Sequence, residues 1–105
     1  MTTDAVNARE RTITSIQEAV ASMFGLTVEE LKGGGNRHVV AVPRQIAMYL
    51  VKQMTDASLP EIGRHFGGKH HTTVMHSIAK IHELRSSEAE LELAVSNLLT
   101  TLVRR

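Results

Sequence analysis

Residues 58–80 read SLPEIGRHFGGKHHTTVMHSIAK, which divides into two helix-forming segments separated by Gly67-Gly68. The first segment opens with Ser58-x-x-Glu61, the spacing of a capping box, in which each side chain satisfies a free backbone N–H. Pro60 falls in the first turn, where its missing N–H costs nothing. The two glycines end this helix, because a residue without a Cβ readily takes the left-handed conformation of a helix terminus.

The second segment predicts a helix from about His70 to about Arg85. Its apolar stripe is formed by Val74, Ile78, Ile81 and Leu84. The other side carries hydroxyl, imidazole and ammonium groups, with no carboxylate before Glu83. Two helices joined by a tight turn, the second opening on such groups, are typical of a helix-turn-helix that reads the major groove of DNA. An ordinary solvated helix is the alternative, since every surface helix has a polar face.

Toward the N-terminus, the sequence predicts a helix that starts near Thr14, where Thr14-x-x-Gln17 has capping-box spacing, and ends at Gly25. Its buried stripe is expected to contain Ile13, Ile16, Val20 and Met23 or Phe24. A short helix follows from Thr27 to Leu31, capped by Thr27. The polar segment before it, residues 1–11, is predicted to be flexible.

The helix predicted from Val42 to Thr55, with Pro43 near its start, is apolar on more than one side and should lie at the centre of the core. After Arg85, Ser86 and Ser87 offer caps for a final amphipathic helix. The stripe of that helix contains Leu91, Val95, Leu98, Leu99 and Leu102. We therefore expect one all-α domain over residues 12–105, a small helical bundle with a helix-turn-helix DNA-binding motif.

The composition of the 105-residue chain excludes several classes of protein. There are no cysteines, which excludes disulfides and thiolate metal sites. No apolar run resembles a signal peptide or approaches the roughly 20 residues of a membrane span, so we expect no membrane association and a cytoplasmic location. The six histidines do not pair at the i, i+4 spacing of helical zinc sites. A phosphate-binding loop and a nucleophile–base pair are also missing, so no metal, cofactor or catalytic residue is predicted.

Positive charge is concentrated around the helix-turn-helix, although the whole chain has a net charge of only +1. Between Asn36 and His82 there are six Lys or Arg residues against two carboxylates, a local charge of +4. All six histidines lie in the same window. This is the distribution that a phosphate-binding surface requires.

Three stretches resemble the C-terminal DNA-binding domain of the bacterial replication initiator DnaA family: PRQIAMYL (Pro43–Leu50), SLPEIGRHFGG (Ser58–Gly68) and HTTVMHSIAKI (His71–Ile81). A weaker resemblance extends from about Ile13 to about Leu102. The resemblance as a whole implies a nucleoid-associated domain that binds short, asymmetric boxes in double-stranded DNA, as at a replication origin. We expect this domain to be monomeric. Its function would lie in DNA replication initiation and its regulation.

The resemblance also implies the roles of individual residues. The base contacts are assigned to His70, His71, Thr72, Thr73 and, from a basic loop that reaches the minor groove, Arg37. The contacts to the DNA backbone are assigned to Arg44, Gln45, Lys52, Leu59, Pro60, Lys69, His76 and Lys80. For each of these residues the alternative is an ordinary solvated or linker position.

The sequence departs from the family at His70, where the family usually has an aspartate. A histidine is a weaker helix cap than an aspartate. It also replaces a hydrogen-bond acceptor by a donor, so we expect the preferred site to differ from the TTATNCACA-type box at the base pair that His70 faces.

Two further functions stay open from the sequence. The family's ATPase and N-terminal interaction domains do not occur in this sequence, so it is either a fragment of an initiator or a free-standing protein. A free-standing protein would compete with the initiator for boxes or repress a nearby promoter. From a different class, the domain could be a protein-interaction module that contacts replication regulators through its surface and its final helix.

Overall fold

The computed structural model describes residues 2–33 and 38–104 of the chain. Within these ranges the regular structure is entirely α-helical, which confirms the predicted all-α fold. In chain order the helices are α1 (Thr2–Phe24), α2 (Val28–Lys32), α3 (His38–Met54), α4 (Leu59–His65), α5 (His71–Ser87) and α6 (Ala89–Val103). None of these helices is both long enough and apolar enough to span a membrane.

Helix α3 lies at the centre of the bundle, as predicted, and contacts α1, α2, α4 and α5. Its buried side chains share one aliphatic core with those of the surrounding helices. The core includes Ile13, Ile16 and Val20 of α1, Ile46, Leu50 and Val51 of α3, Val74 and Ile81 of α5, and Val95, Leu98 and Leu102 of α6. Because α3 contacts both α4 and α5, which also contact each other, α3 supports the helix-turn-helix.

The turn between α4 and α5 forms as the glycines predict. Gly67 and Gly68 both have φ +78°, the left-handed conformation. The carbonyl oxygen of Gly63 accepts the backbone N–H groups of Phe66, Gly68 and Lys69 at 3.1, 3.0 and 2.9 Å. These bonds satisfy carbonyl and N–H groups that the end of a helix leaves free, and they fix the direction in which α5 leaves the turn.

Two predicted N-caps are confirmed. The Ser58 Oγ accepts the Glu61 N–H at 3.2 Å at the start of α4. Thr27 and Glu30 form a complete capping box at the start of α2. The Glu61 carboxylate, however, does not complete the box predicted with Ser58, because it accepts a hydrogen bond from the Arg9 Nε at 2.8 Å.

The predicted start of the first helix near Thr14 is wrong. α1 begins at Thr2, about three turns earlier, so the segment predicted to be flexible belongs to the helix. Arg9 ties this segment to Glu61 and to Asp56, whose Oδ1 lies 3.2 Å from the Arg9 Nη1. Gln17 does not complete a cap with Thr14, because it is buried and its Nε2 donates to the His65 carbonyl at 2.7 Å.

Three smaller predictions also need correction. α3 begins at His38 rather than Val42, so Pro43 lies inside the helix and removes one backbone hydrogen bond there. Ser86 and Ser87 belong to α5, and α6 is capped by Glu88 without a side-chain bond. Met23 and Phe24 are 43% and 37% exposed rather than buried, because α1 ends beyond the edge of the core.

Candidate nucleic-acid interface

The first turn of α5 brings together four residues that the sequence assigns to base contacts. His70 is the N-cap, and its Nδ1 accepts the Thr72 N–H at 3.1 Å. The rings of His70 and His71 lie beside each other, with centroids 4.3 Å apart and an interplanar angle of 32°. His70, His71 and Thr73 are exposed and Thr72 is half-buried. Together they form a compact polar tip at the positive end of the helix dipole.

This polar tip continues along one exposed face of α5. His76 follows Thr73 by three residues and Lys80 follows His76 by four, the spacing that places side chains next to one another on a helix. Both residues are exposed, whereas Val74, Ser77 and Ile81 are buried. The exposed face therefore presents hydroxyl, imidazole and ammonium groups, and the buried face holds α5 on the core.

Lys69 lies immediately before this tip, but its ammonium group is engaged within the protein. The Nζ donates to the carbonyl oxygens of Gly33 and Phe66, both at 3.0 Å. Burial, and then the nearby positive charge of Arg44, hold the pKa of Lys69 below its usual value. A phosphate contact at this position, as predicted from the sequence, would require Lys69 to release two carbonyl groups that join the end of α2 to the end of α4.

Arg44 has a similar internal role. Its side chain is only 6% exposed, and its Nε donates to the Leu31 carbonyl at 2.8 Å. Burial lowers the pKa of Arg44 from its usual value. In this conformation the guanidinium supports the C-terminal end of α2 through the Leu31 carbonyl, and the phosphate contact of Arg44 stays a prediction. Gln45 beside it is half-buried.

The other predicted backbone contacts lie at the surface or close to it. Lys52 is exposed near the end of α3, and its Nζ lies 3.4 Å from the Ala57 carbonyl oxygen. Pro60 is exposed and Leu59 half-buried in the first turn of α4. Arg37, the predicted minor-groove residue, lies outside the residues that the structure describes.

Sequence reasoning missed Gly63, which positions the interface. A Cβ at Gly63 would collide with the carbonyl oxygen of Lys69, so only glycine lets the turn pass this close to α4. The available signal was a glycine inside the apolar pattern of a helix, which often marks a close backbone approach. Among the residues that the structure describes, no group of three or more His, Asp or Glu side chains could hold a metal ion.

The chain is similar in sequence and in fold to known proteins. Residues 13–81 match the family described as the bacterial dnaA protein helix-turn-helix. The chain is 50% identical over 92 residues to the chromosomal replication initiator protein DnaA of Lactobacillus delbrueckii subsp. bulgaricus, covering 88% of this chain and 20% of that protein. It is 54% identical over 83 residues to the protein of the same name from Thermus thermophilus, covering 79% and 18%.

A solved structure described as a DNA replication initiation factor has the same fold. It superposes with a TM-score of 0.79 at 31% identity, covering 90% of this chain and 29% of that one. The chain thus spans about a fifth of the length of the curated relatives that it matches. The similarity includes the helix-turn-helix and the core helix beneath it.

Proposed function

The chain belongs to the bacterial DnaA helix-turn-helix family, and we propose that it binds double-stranded DNA at DnaA-box-like sites. The observation that carries this proposal is the first turn of α5, where His70, His71 and Thr73 are exposed together at the end of a helix held by a glycine turn. A helix of this kind fits the major groove, where its N-terminal side chains reach the base edges.

Each group on this turn has a chemical role in reading DNA. A threonine offers its methyl group to the methyl group of thymine and its hydroxyl to a base edge or a phosphate, and a histidine donates to a purine acceptor. We assign these roles to His71, Thr72 and Thr73. The free N–H groups of the helix N-terminus add a favourable potential for the nearby phosphates.

The contacts that hold the domain on the duplex are assigned to exposed and half-buried groups on α3, α4 and α5. Lys80 and His76 lie along the same face of α5, Lys52 lies near the end of α3, and Pro60 and Leu59 bring the start of α4 to the DNA backbone. Arg37 is assigned to the adjacent minor groove, where an arginine is attracted to narrow A·T-rich sequences. Arg44 and Lys69 hold the end of α2 through the Leu31 and Gly33 carbonyls, and their phosphate contacts stay predictions.

The names of the relatives support a role at a replication origin, in the initiation of chromosomal replication or its regulation. Binding of a box is the part of that role that this domain itself can carry out.

The decisive measurement is fluorescence anisotropy with a TTATCCACA duplex and a scrambled duplex of the same composition. We expect the box to bind at least about a thousandfold more tightly. Thr73→Ala should reduce that preference by about tenfold or more, because it removes one base contact. Thr101→Ala, an exposed threonine on α6, is the matched control and should change nothing.

Two other results would decide against box binding. Equal affinity for both duplexes with a steep salt dependence would mean that the domain contacts only the DNA backbone or reads another sequence. If neither duplex bound, the protein-interaction function would replace DNA binding.

A further inference from the structure

His70 caps α5 in an unusual way, and the bond that it makes determines its chemistry. N-caps are most often Ser, Thr, Asn or Asp, whose side-chain oxygen accepts a backbone N–H. Here the acceptor is a ring nitrogen, the His70 Nδ1, which lies 3.1 Å from the Thr72 N. A ring nitrogen that accepts a hydrogen bond carries no proton, so in the neutral ring the proton is on Nε2.

The His71 ring lies beside the His70 ring, with the two ring centroids 4.3 Å apart.

We propose that His70 is a specificity-determining residue, which reads a major-groove acceptor with the Nε2–H that its capping bond fixes in place. This proposal rests on the proposed function, because it needs the first turn of α5 in the groove. The residue is exposed, and Nε2 is the ring nitrogen that the capping bond to Nδ1 leaves available. The cap therefore sets the tautomer, and the tautomer sets the base preference.

The preference follows from the groups that each base shows in the major groove. Guanine offers N7 and O6 as acceptors, adenine offers N7 and thymine offers O4, whereas cytosine offers only the N4 donor. A histidine held as a donor should therefore favour guanine most and disfavour cytosine at the base that it faces. A carboxylate in the same place would do the reverse, since it accepts from the cytosine N4.

Two variants of His70 that are isosteric with each other separate its role as a hydrogen-bond donor to a base from its role as a helix cap. Asparagine and aspartate both cap helices well through one oxygen. The second group of asparagine is then an NH₂ donor, and that of aspartate is a carboxylate acceptor. The experiment is binding-site selection from a randomised box with the wild-type chain, His70→Asn and His70→Asp, with the base frequencies at every position as the readout.

We expect the wild type and His70→Asn to share one preference and His70→Asp to differ from them at a single base pair. At that base pair, the frequency of cytosine in the sites selected by His70→Asp should be about tenfold or more higher than in those selected by the wild type. If all three proteins selected the same site, His70 would be only a cap and the proposal would be wrong. If the wild type enriched no sequence at all, the proposed function itself would fail, which is a different result from three identical sites.

The tautomer can be measured without DNA. The ¹⁵N chemical shifts of the His70 ring near neutral pH should identify an unprotonated Nδ1 and a protonated Nε2. A protonated Nδ1 would overturn the proposal, whatever the selection experiment gives.

Discussion

At the scale of single residues, Gly63 decides whether the interface can form. It lies inside α4, where alanine is normally preferred over glycine by roughly 0.5–1 kcal/mol. Here the added Cβ would meet the backbone carbonyl of Lys69, which cannot move without displacing the turn before α5. We therefore expect Gly63→Ala to lower the free energy of unfolding by about 2–3 kcal/mol, the upper part of the usual range for overpacking, in urea titrations.

The matched control for this substitution is Gly25→Ala. Gly25 has φ +68° but no neighbouring atom within 4 Å of an added Cβ, so alanine there adds backbone strain of about 1–2 kcal/mol without a collision. A Gly63→Ala protein as stable as the wild type would show that the turn can relax. In that case Gly63 would not fix the position of α5.

At the scale of the helices, α6 is attached to α5 and α3 through one charged cluster. The Arg85 Nη2 lies 2.8 Å from the Glu92 Oε1, and the Arg85 Nη1 donates to the Tyr49 hydroxyl at 2.9 Å. Ser96 donates to the same Glu92 oxygen at 2.9 Å. The hydrogen bond from Arg85, and then that from Ser96, hold the pKa of Glu92 below its usual value.

This pKa shift predicts how acid acts on the cluster. Because the pKa of Glu92 is lower in the folded state, the carboxylate stabilises the fold above the unfolded pKa, and this contribution is lost as the pH falls through the folded pKa. Glu92→Gln should therefore lower the urea midpoint near neutral pH and reduce its fall on acidification. Glu90→Gln, at an exposed position two residues earlier on the same helix, is the control. Identical acid profiles for Glu92→Gln and the wild type would contradict the role of Glu92.

Helix boundaries differ in how well the sequence predicts them. The caps at Thr27 and Ser58 and the turn at Gly67-Gly68 depend on residues within a few positions of each other, and all three were predicted correctly. The start of α1 was not, because the segment before Thr14 is held by Arg9 bonding to Glu61, 52 residues away. Such a pair becomes visible only when the bundle is assembled.

At the scale of the whole molecule, the parts of the interface also differ in whether residues nearby in sequence or distant ones position them. The tip of α5 is local in sequence, so its clustering could be predicted from the order His70, His71, Thr72, Thr73. The roles of Arg44 and Lys69 depend on Leu31, Gly33 and Phe66, which other elements bring to them. A count of positive charges cannot tell a cation that faces solvent from one that holds the fold together.

The salt dependence of DNA binding should distinguish the cations that contact phosphate from those that hold the fold together. Each ammonium that contacts a phosphate releases about one counterion on binding. Removing that ammonium should therefore make the negative slope of log K against log salt shallower by about one. Lys80→Gln, on the exposed face of α5, should lower the slope in this way and leave the urea midpoint unchanged. Lys69→Gln should instead lower the urea midpoint and leave the salt slope unchanged, because it breaks the bonds to Gly33 and Phe66 and removes no phosphate contact.

If Lys69→Gln reduced the slope as much as Lys80→Gln and unfolded at the same urea concentration as the wild type, Lys69 would be a phosphate ligand after all. Its internal hydrogen bonds would then be exchanged for DNA on binding.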